Sequence, residues 1–180
     1  MEKITLADKT FKPYIPYGQI SDAIDKVAER LNADYSGCGE IPVLVCVLNG
    51  AILFCAELMK RLTFDCELVS MKLSSYEGTS STGVVREVMG LSGSVKGRKA
   101  IIVEDIVDTG TTIVSMVDTL KAKGASDVKV CTMLLKPEVY KKSVPLDYVG
   151  MEIPNRFIVG FGLDYNELGR NYKDIYVIDQ

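Results

Sequence analysis

Apolar residues recur along this chain with two different periods. In QISDAIDKVAERL, Ile20, Ala23, Ile24, Val27 and Leu31 return every three or four positions, which puts them on one face of a helix. IPVLVCVL (41–48) is instead an unbroken, valine-rich apolar run. With NGA and ILFCAELMKRL after it, the segment predicts a strand buried on both faces, a tight turn and a helix. FDCELVSMKL alternates as a strand does, SSYEGTSSTG (74–83) is polar and flexible in character, and VVREVMGL resumes strand-like residues. Past the turn VKGRK, AIIV is another buried strand, followed by an acidic stretch. The helix after it turns Ile113, Met116, Val117 and Leu120 inward and stops at Gly124. DVKVCTMLL reads as one more strand.

Buried strands alternating with helices predict an α/β fold, a central parallel sheet flanked by helices. The last third differs: YVGMEIP, RFIVGFGLDY and IYVI look like short strands between turns, a small β-rich C-terminal hood on the core. No internal repeat or linker interrupts the pattern, so a single domain is expected over 1–180. Its core should span about 19–140, and its hood about 145–180 together with the N-terminal segment. The pattern of residues 1–18 suggests no role of its own.

Composition narrows the chemistry. A chain of 180 residues suits one well-buried core, and 21 basic against 24 acidic residues argues against nucleic acid as a partner. No apolar run approaches a membrane span, and MEKITLADKTFK lacks the apolar core of a signal peptide, so a cytoplasmic location with no membrane partner is expected. The five cysteines include no C-x-x-C pair and read as reduced, small hydrophobes. There is no histidine and no tryptophan. That excludes Ser-His-Asp and Cys-His catalysis and histidine-ligated metals, leaving carboxylates, lysine, tyrosine or a hard metal ion to do any catalytic work.

IIVEDIVDTGTTIV (101–114) concentrates the candidates. Glu104, Asp105 and Asp108 fall within five residues, between a buried strand and the start of a helix. Ligands of such sheets bind at the carboxyl ends of the strands, where both NGA and EDIVDTGTT fall. Residues Thr109, Gly110, Thr111 and Thr112 sit where backbone N–H groups lack partners within the helix, a natural phosphate cradle. It is not a Walker A loop, and no G-x-G-x-x-G occurs. The carboxylates upstream would repel a bare phosphate, so they suit sugar hydroxyls or magnesium on the same ligand; a phosphorylated sugar satisfies both halves. Acidic and threonine residues in this position also cap helices, and spacing alone leaves both readings open.

The same stretch resembles the phosphoribosyl-pyrophosphate signature of the type I phosphoribosyltransferases. VLNGAILFCAEL is similar to the first strand–loop–helix of the hypoxanthine–guanine branch, SSYEGTSSTG to its mobile catalytic loop, LLKPE to its base-recognition lysine segment, and IPNRFIVGFGLDYNELGRN to its purine hood. The resemblance covers roughly residues 40 to 180, with the motifs in order. It implies the type I phosphoribosyltransferase fold and purine salvage: transfer of a phosphoribosyl group from phosphoribosyl pyrophosphate to N9 of hypoxanthine or guanine, giving IMP or GMP.

The resemblance also implies roles. Glu104 and Asp105 would hold the ribose hydroxyls, with Mg2+ bridging sugar and pyrophosphate, and Asp164 would complete a second magnesium site. Asp108 would be the acid–base residue at N7, its pKa raised by Glu104 and Asp105. Lys136 would donate to the 6-oxygen, Phe157 would stack on the base, Ile158 would offer backbone contacts, and Arg170 would reach the pyrophosphate. Ser75 and Tyr76 would fold over the reaction centre. Asn49 and Gly50 would offer amides to the pyrophosphate, often through a non-proline cis peptide; many family members carry lysine or arginine where this chain has Asn49. A homodimer or homotetramer is expected. The alternative function is a non-catalytic regulator that senses phosphoribosyl pyrophosphate on the same fold. A receiver-like signalling domain fits less well, because receivers spread their acids over two strand ends.

Overall fold

The computed structural model describes residues 2–75 and 85–179, with backbone alone for 73–75 and 85–88. Its main sheet runs in the order β5 (Val85–Met89), β4 (Glu67–Ser75), β3 (Val43–Val47), β6 (Lys99–Val107), β7 (Asp127–Leu135), β8 (Tyr148–Glu152). All neighbours are parallel except β5, which returns antiparallel along β4. The valine-rich runs behave as their composition demands: every residue of β3 is buried, as are Ala100 to Val103 of β6.

Among the described residues, three helices accompany the sheet: α1 (Tyr17–Tyr35), α2 (Ile52–Met59) and α3 (Thr111–Ala122). The predicted face of α1 is the one it buries, Ile20, Ala23, Ile24, Val27 and Leu31 among others. Helix α3 buries Ile113, Met116, Val117 and Leu120, and the chain leaves it through Gly124 at φ +87°, a conformation that favours glycine. No helix among the described residues is long and apolar enough to cross a membrane. Cys46, Cys55 and Cys131 are buried and all five cysteines are free thiols, as small hydrophobes.

A second sheet, antiparallel, is built from both ends of the chain in the order β1 (Ile4–Leu6), β2 (Lys9–Ile15), β10 (Ile175–Ile178), β9 (Ile158–Val159). This is the hood, and residues 4–15 supply half its strands. Tyr148–Glu152, expected within the hood, is instead the outer strand of the main sheet, beside β7. Its Tyr148 is buried against the core, and the chain crosses to the hood only after it.

Strand order fixes the site. The crossover from β3 through α2 leads outward to β4, whereas that from β6 through α3 leads the other way to β7. Since both crossovers are right-handed, α2 and α3 fall on opposite faces, and the carboxyl ends of β3 and β6 diverge at a topological switch point. The integrity of that centre depends on β6. Ile102 is fully buried between two parallel neighbours. Ile102→Ala is expected to cost about 2–5 kcal/mol, read as a lower urea midpoint at unchanged slope. A loss below about 0.5 kcal/mol, typical of a surface position, would contradict this packing.

Candidate active site

Strand β6 outruns β3. Pairing between them ends at Cys46 and Val103, while β6 continues through Glu104 to Val107 along β7. The backbone released on the β3 side borders a cleft of about 540 Å³, walled by the turn Leu48–Gly50, by residues 104–113 and by Asp164, Glu167 and Arg170 of the hood. The Leu48–Asn49 peptide is cis. Gly50 lies so close to Asp105 that a Cβ there would stand 1.6 Å from Asp105 Oδ2. On the hood side, a Cβ at Gly162 would stand 1.9 Å from the carbonyl oxygen of Gly50. The turn is thus pressed between the acidic strand and the hood; at Gly162 the obstacle is backbone and φ is +96°, so only glycine fits there, whereas at Gly50 it is the Asp105 side chain.

Glu104 is buried, and its burial, followed by the neighbouring Asp105 carboxylate, pushes it well above the usual carboxylate range. Burial also raises Asp105, although the Ile106 amide, donating to Asp105 Oδ1 at 2.8 Å, and the Arg170 charge oppose that rise. Two adjacent acids that burial disfavours as anions are suited to a cation or to hydroxyl donors, because either restores what desolvation removes.

Helix α3 takes no side-chain cap from this stretch. Its N-cap is Gly110, at φ +80°, with no side-chain cap and no acid in the first turn. The first intrahelical bond runs from the Val114 amide to the Gly110 carbonyl, so the amides of residues 111–113 are not used within the helix and border the cleft. The Thr109 and Thr111 hydroxyls approach each other to 3.3 Å beside them. A Cβ on Gly110 would clash with the Tyr140 ring at 2.4 Å, which keeps this corner narrow. Asp108 caps nothing: its Oδ2 accepts from Lys136 Nζ at 2.9 Å. The crowding of Asp108 by acids expected from the sequence gives way to pairing with a cation. Lys136 is largely buried, whereas nearly half the Asp108 side chain is exposed, at 47%.

In the hood, Arg170 Nη2 pairs with Asp164 Oδ1 at 2.7 Å and Glu167 Oε2 at 3.1 Å, and Nη1 donates to the Gly162 carbonyl at 2.9 Å. Asn166 and Glu167, both at positive φ, form the tight turn that brings Glu167 round to the cleft. Asp164 is not joined to Glu104 and Asp105 as one ligand cluster; no group of three or more potential metal ligands occurs among the described residues.

Phe157 and Ile158 are not among the residues that wall this cleft, and neither is Lys136, which meets it through Asp108. The Phe157 ring is exposed, 5.8 Å from the Tyr165 ring and 5.5 Å from Lys9 Nζ, and the Ile158 side chain is buried in the main core. Tyr76 and the rest of the loop to Gly83 lie outside the described residues, and for Ser75 only the backbone is described. Of the charged residues that wall the cleft, two escape a reading of the sequence: Lys72 and Glu167. Lys72 sits in an alternating strand, and only the placement of β4 beside β3 carries it to the site. Glu167 lies past the strand-like RFIVGFGLDY, and only the positive-φ turn at Asn166 and Glu167 carries it to the cleft.

Comparison with known proteins gives the family. The phosphoribosyl transferase domain family matches residues 16–166. The hypoxanthine-guanine phosphoribosyltransferase of Streptococcus pneumoniae R6 is 39% identical over 170 residues, covering 94% of this chain and 93% of its own. The chain belongs to the hypoxanthine–guanine phosphoribosyltransferase family. Solved structures agree with this phosphoribosyltransferase fold. A hypoxanthine phosphoribosyltransferase from Staphylococcus aureus superposes with a TM-score of 0.86 at 34% identity, over 93% of this chain and 91% of that one. A hypoxanthine-guanine phosphoribosyltransferase from Bacillus anthracis gives 0.87 at 32%, over 93% and 98%. In phosphoribosyltransferase terms, the cleft at the switch point is the expected ligand site, and the hood is the antiparallel sheet of the termini.

Proposed function

We propose that this chain transfers the phosphoribosyl group of phosphoribosyl pyrophosphate to N9 of hypoxanthine or guanine in purine salvage, giving IMP or GMP and pyrophosphate. The observation that carries this reading is the joining, in one cleft, of the Glu104–Asp105 pair with the uncapped amides of α3. The amides suit the 5-phosphate, and the acids the ribose hydroxyls. Asn49 and Gly50 lie across from them for the pyrophosphate. Similarity to the relatives named above supports the same reaction.

Magnesium fits the donor set. Glu104 and Asp105 are hard oxygen donors, their burial favours a neighbouring cation, and with no larger cluster among the described residues the ion would share its remaining positions with ligand oxygens and water. When bound, it neutralises charge on the sugar-linked pyrophosphate. At Asp164, Oδ1 pairs with Arg170 and Oδ2 accepts from the Glu167 amide at 2.9 Å, so a second ion would share this carboxylate with both. Transfer breaks the bond between C1 of the ribose and pyrophosphate oxygen, whose electron pair leaves with the pyrophosphate, and forms the bond from C1 to N9. The purine proton passes to Asp108 at N7. N7 and the 6-oxygen flank one edge of a 6-oxopurine, and the Asp108–Lys136 pair presents an acceptor and a donor side by side to match them.

A strict test is stoichiometry: phosphoribosyl pyrophosphate, magnesium and hypoxanthine should yield one pyrophosphate per IMP. Pyrophosphate released without nucleotide would overturn the transferase reading. Lys136→Ala is expected to raise the Michaelis constant for the base by about ten- to a hundredfold, as loss of one charge-assisted hydrogen bond implies. It should leave that for phosphoribosyl pyrophosphate nearly unchanged. An unaltered base constant would remove Lys136 from the site. The oligomer is proposed as a dimer or tetramer, which is common among symmetric enzymes.

A further inference from the structure

The walls of the cleft carry five carboxylates, Glu104, Asp105, Asp108, Asp164 and Glu167, against two cations, Lys72 and Arg170, while a third, Lys136, is already paired with Asp108. A ligand with a phosphate at one end and a pyrophosphate at the other needs more positive charge than that balance offers. Arg170 is already shared between Asp164, Glu167 and the Gly162 carbonyl. Lys72 is in a different state. Its ammonium forms no ion pair or hydrogen bond with any described residue.

Its position follows from strand register. Val47 pairs with Met71, and the Leu48 amide donates to the Met71 carbonyl at 2.9 Å, so Lys72 stands level with the start of the Leu48–Gly50 turn. Met71 is fully buried, and strand alternation sends Lys72 to the opposite side. Opposite Lys72 and Leu73 the register of β5 slips by one residue, a bulge of the kind that re-aims side chains beside a site.

Resting on the function proposed above, we propose that Lys72 is a pyrophosphate-binding residue. Its ammonium, delivered from β4, supplies the positive charge that Asn49 does not supply from the turn. It stabilises the electron pair that leaves with the pyrophosphate oxygen when the bond to C1 of the ribose breaks, an effect that grows as the bond lengthens. A neutral asparagine in the turn and a lysine on the adjoining strand thus form one unit.

The test compares the wild type with Lys72→Met, Lys72→Arg and the double variant Asn49→Lys/Lys72→Met. Calorimetric binding of magnesium pyrophosphate is one readout, and steady-state kinetics the other. Lys72→Met should weaken pyrophosphate by about ten- to a hundredfold, the range for one charge-assisted contact. It should raise the Michaelis constant for phosphoribosyl pyrophosphate in parallel and leave that for hypoxanthine unchanged. Lys72→Arg should keep most of the affinity, and the double variant should regain it, because a charge restored from the turn replaces one lost from the strand. Unchanged pyrophosphate affinity in Lys72→Met would overturn the proposal. So would a loss that neither Lys72→Arg nor the double variant recovers, since that marks a packing role. A wild type that binds pyrophosphate but forms no nucleotide would count against the transferase reading alone, and the binding comparison would still decide Lys72.

Discussion

Asp108→Asn is expected to lower turnover by about a hundred- to ten-thousandfold, the range associated with loss of a positioned acid–base group, while phosphoribosyl pyrophosphate binds with affinity within a few-fold of the wild type. The structure separates the two effects. Asp108 does not cap α3, whose N-cap is Gly110, so the amides near the phosphate should keep their arrangement in the variant. Asp108 meets Lys136 at 2.9 Å and presents its exposed side to the cleft. An asparagine retains size and shape but has no carboxylate to receive the purine proton, and it leaves the largely buried Lys136 ammonium without its counter-charge. Rapid-quench measurement of nucleotide formation, beside equilibrium binding of phosphoribosyl pyrophosphate, distinguishes the cases. Wild-type turnover would refute the assignment; loss of binding together with turnover would show that Asp108 organises the cleft instead.

The second large effect is expected at Gly162, far in sequence from the acidic motif. With φ at +96° and a would-be Cβ 1.9 Å from the Gly50 carbonyl oxygen, Gly162→Ala meets both an unfavourable conformation and a backbone obstacle that cannot rotate away. Relief requires moving either the Leu48–Gly50 turn or the hood. The hood side holds Arg170 through both the Gly162 carbonyl and the Gly162 amide, which donates to the Arg170 carbonyl at 3.0 Å. We expect a stability loss of about 2–4 kcal/mol and a fall in kcat/KM for phosphoribosyl pyrophosphate of at least about a hundredfold, in line with displacement of a positioning element. Gly18→Ala is the control. Gly18 lies in the first turn of α1 with nothing within 4 Å of its would-be Cβ, so alanine should be neutral or stabilise by up to about 1 kcal/mol. Indistinguishable behaviour of the two variants would show that the hood does not press on the turn.

Much of this arrangement was legible in the residues themselves, for definite physical reasons. Strands buried on both faces, such as VLVCV, must be apolar throughout, so the parallel core announced itself. Glu104, Asp105 and Asp108 stood out because three acids between an apolar run and a Thr-Gly-Thr-Thr turn are costly without a ligand.

What escaped is long-range or conformational. Residues 9–15 form an interior strand of the hood despite Pro13, which a central strand ordinarily excludes. The β1 pairing ends at Phe11, so Pro13 has a strand neighbour on one side only, at Tyr176 of β10 beside a register shift. Lys72 and Glu167 reach the cleft through strand order and a positive-φ turn, neither of which local periodicity encodes.

The most direct test of the central claim is nucleotide formation from phosphoribosyl pyrophosphate and magnesium with hypoxanthine, guanine, xanthine and adenine in separate reactions. A site that offers the Lys136 donor to a 6-oxygen should give IMP and GMP and reject adenine, whose 6-amino group leaves that donor unpaired. Equal use of adenine, or no nucleotide from any base despite tight binding of phosphoribosyl pyrophosphate, would contradict the account; the second result would favour a sensor on the same fold.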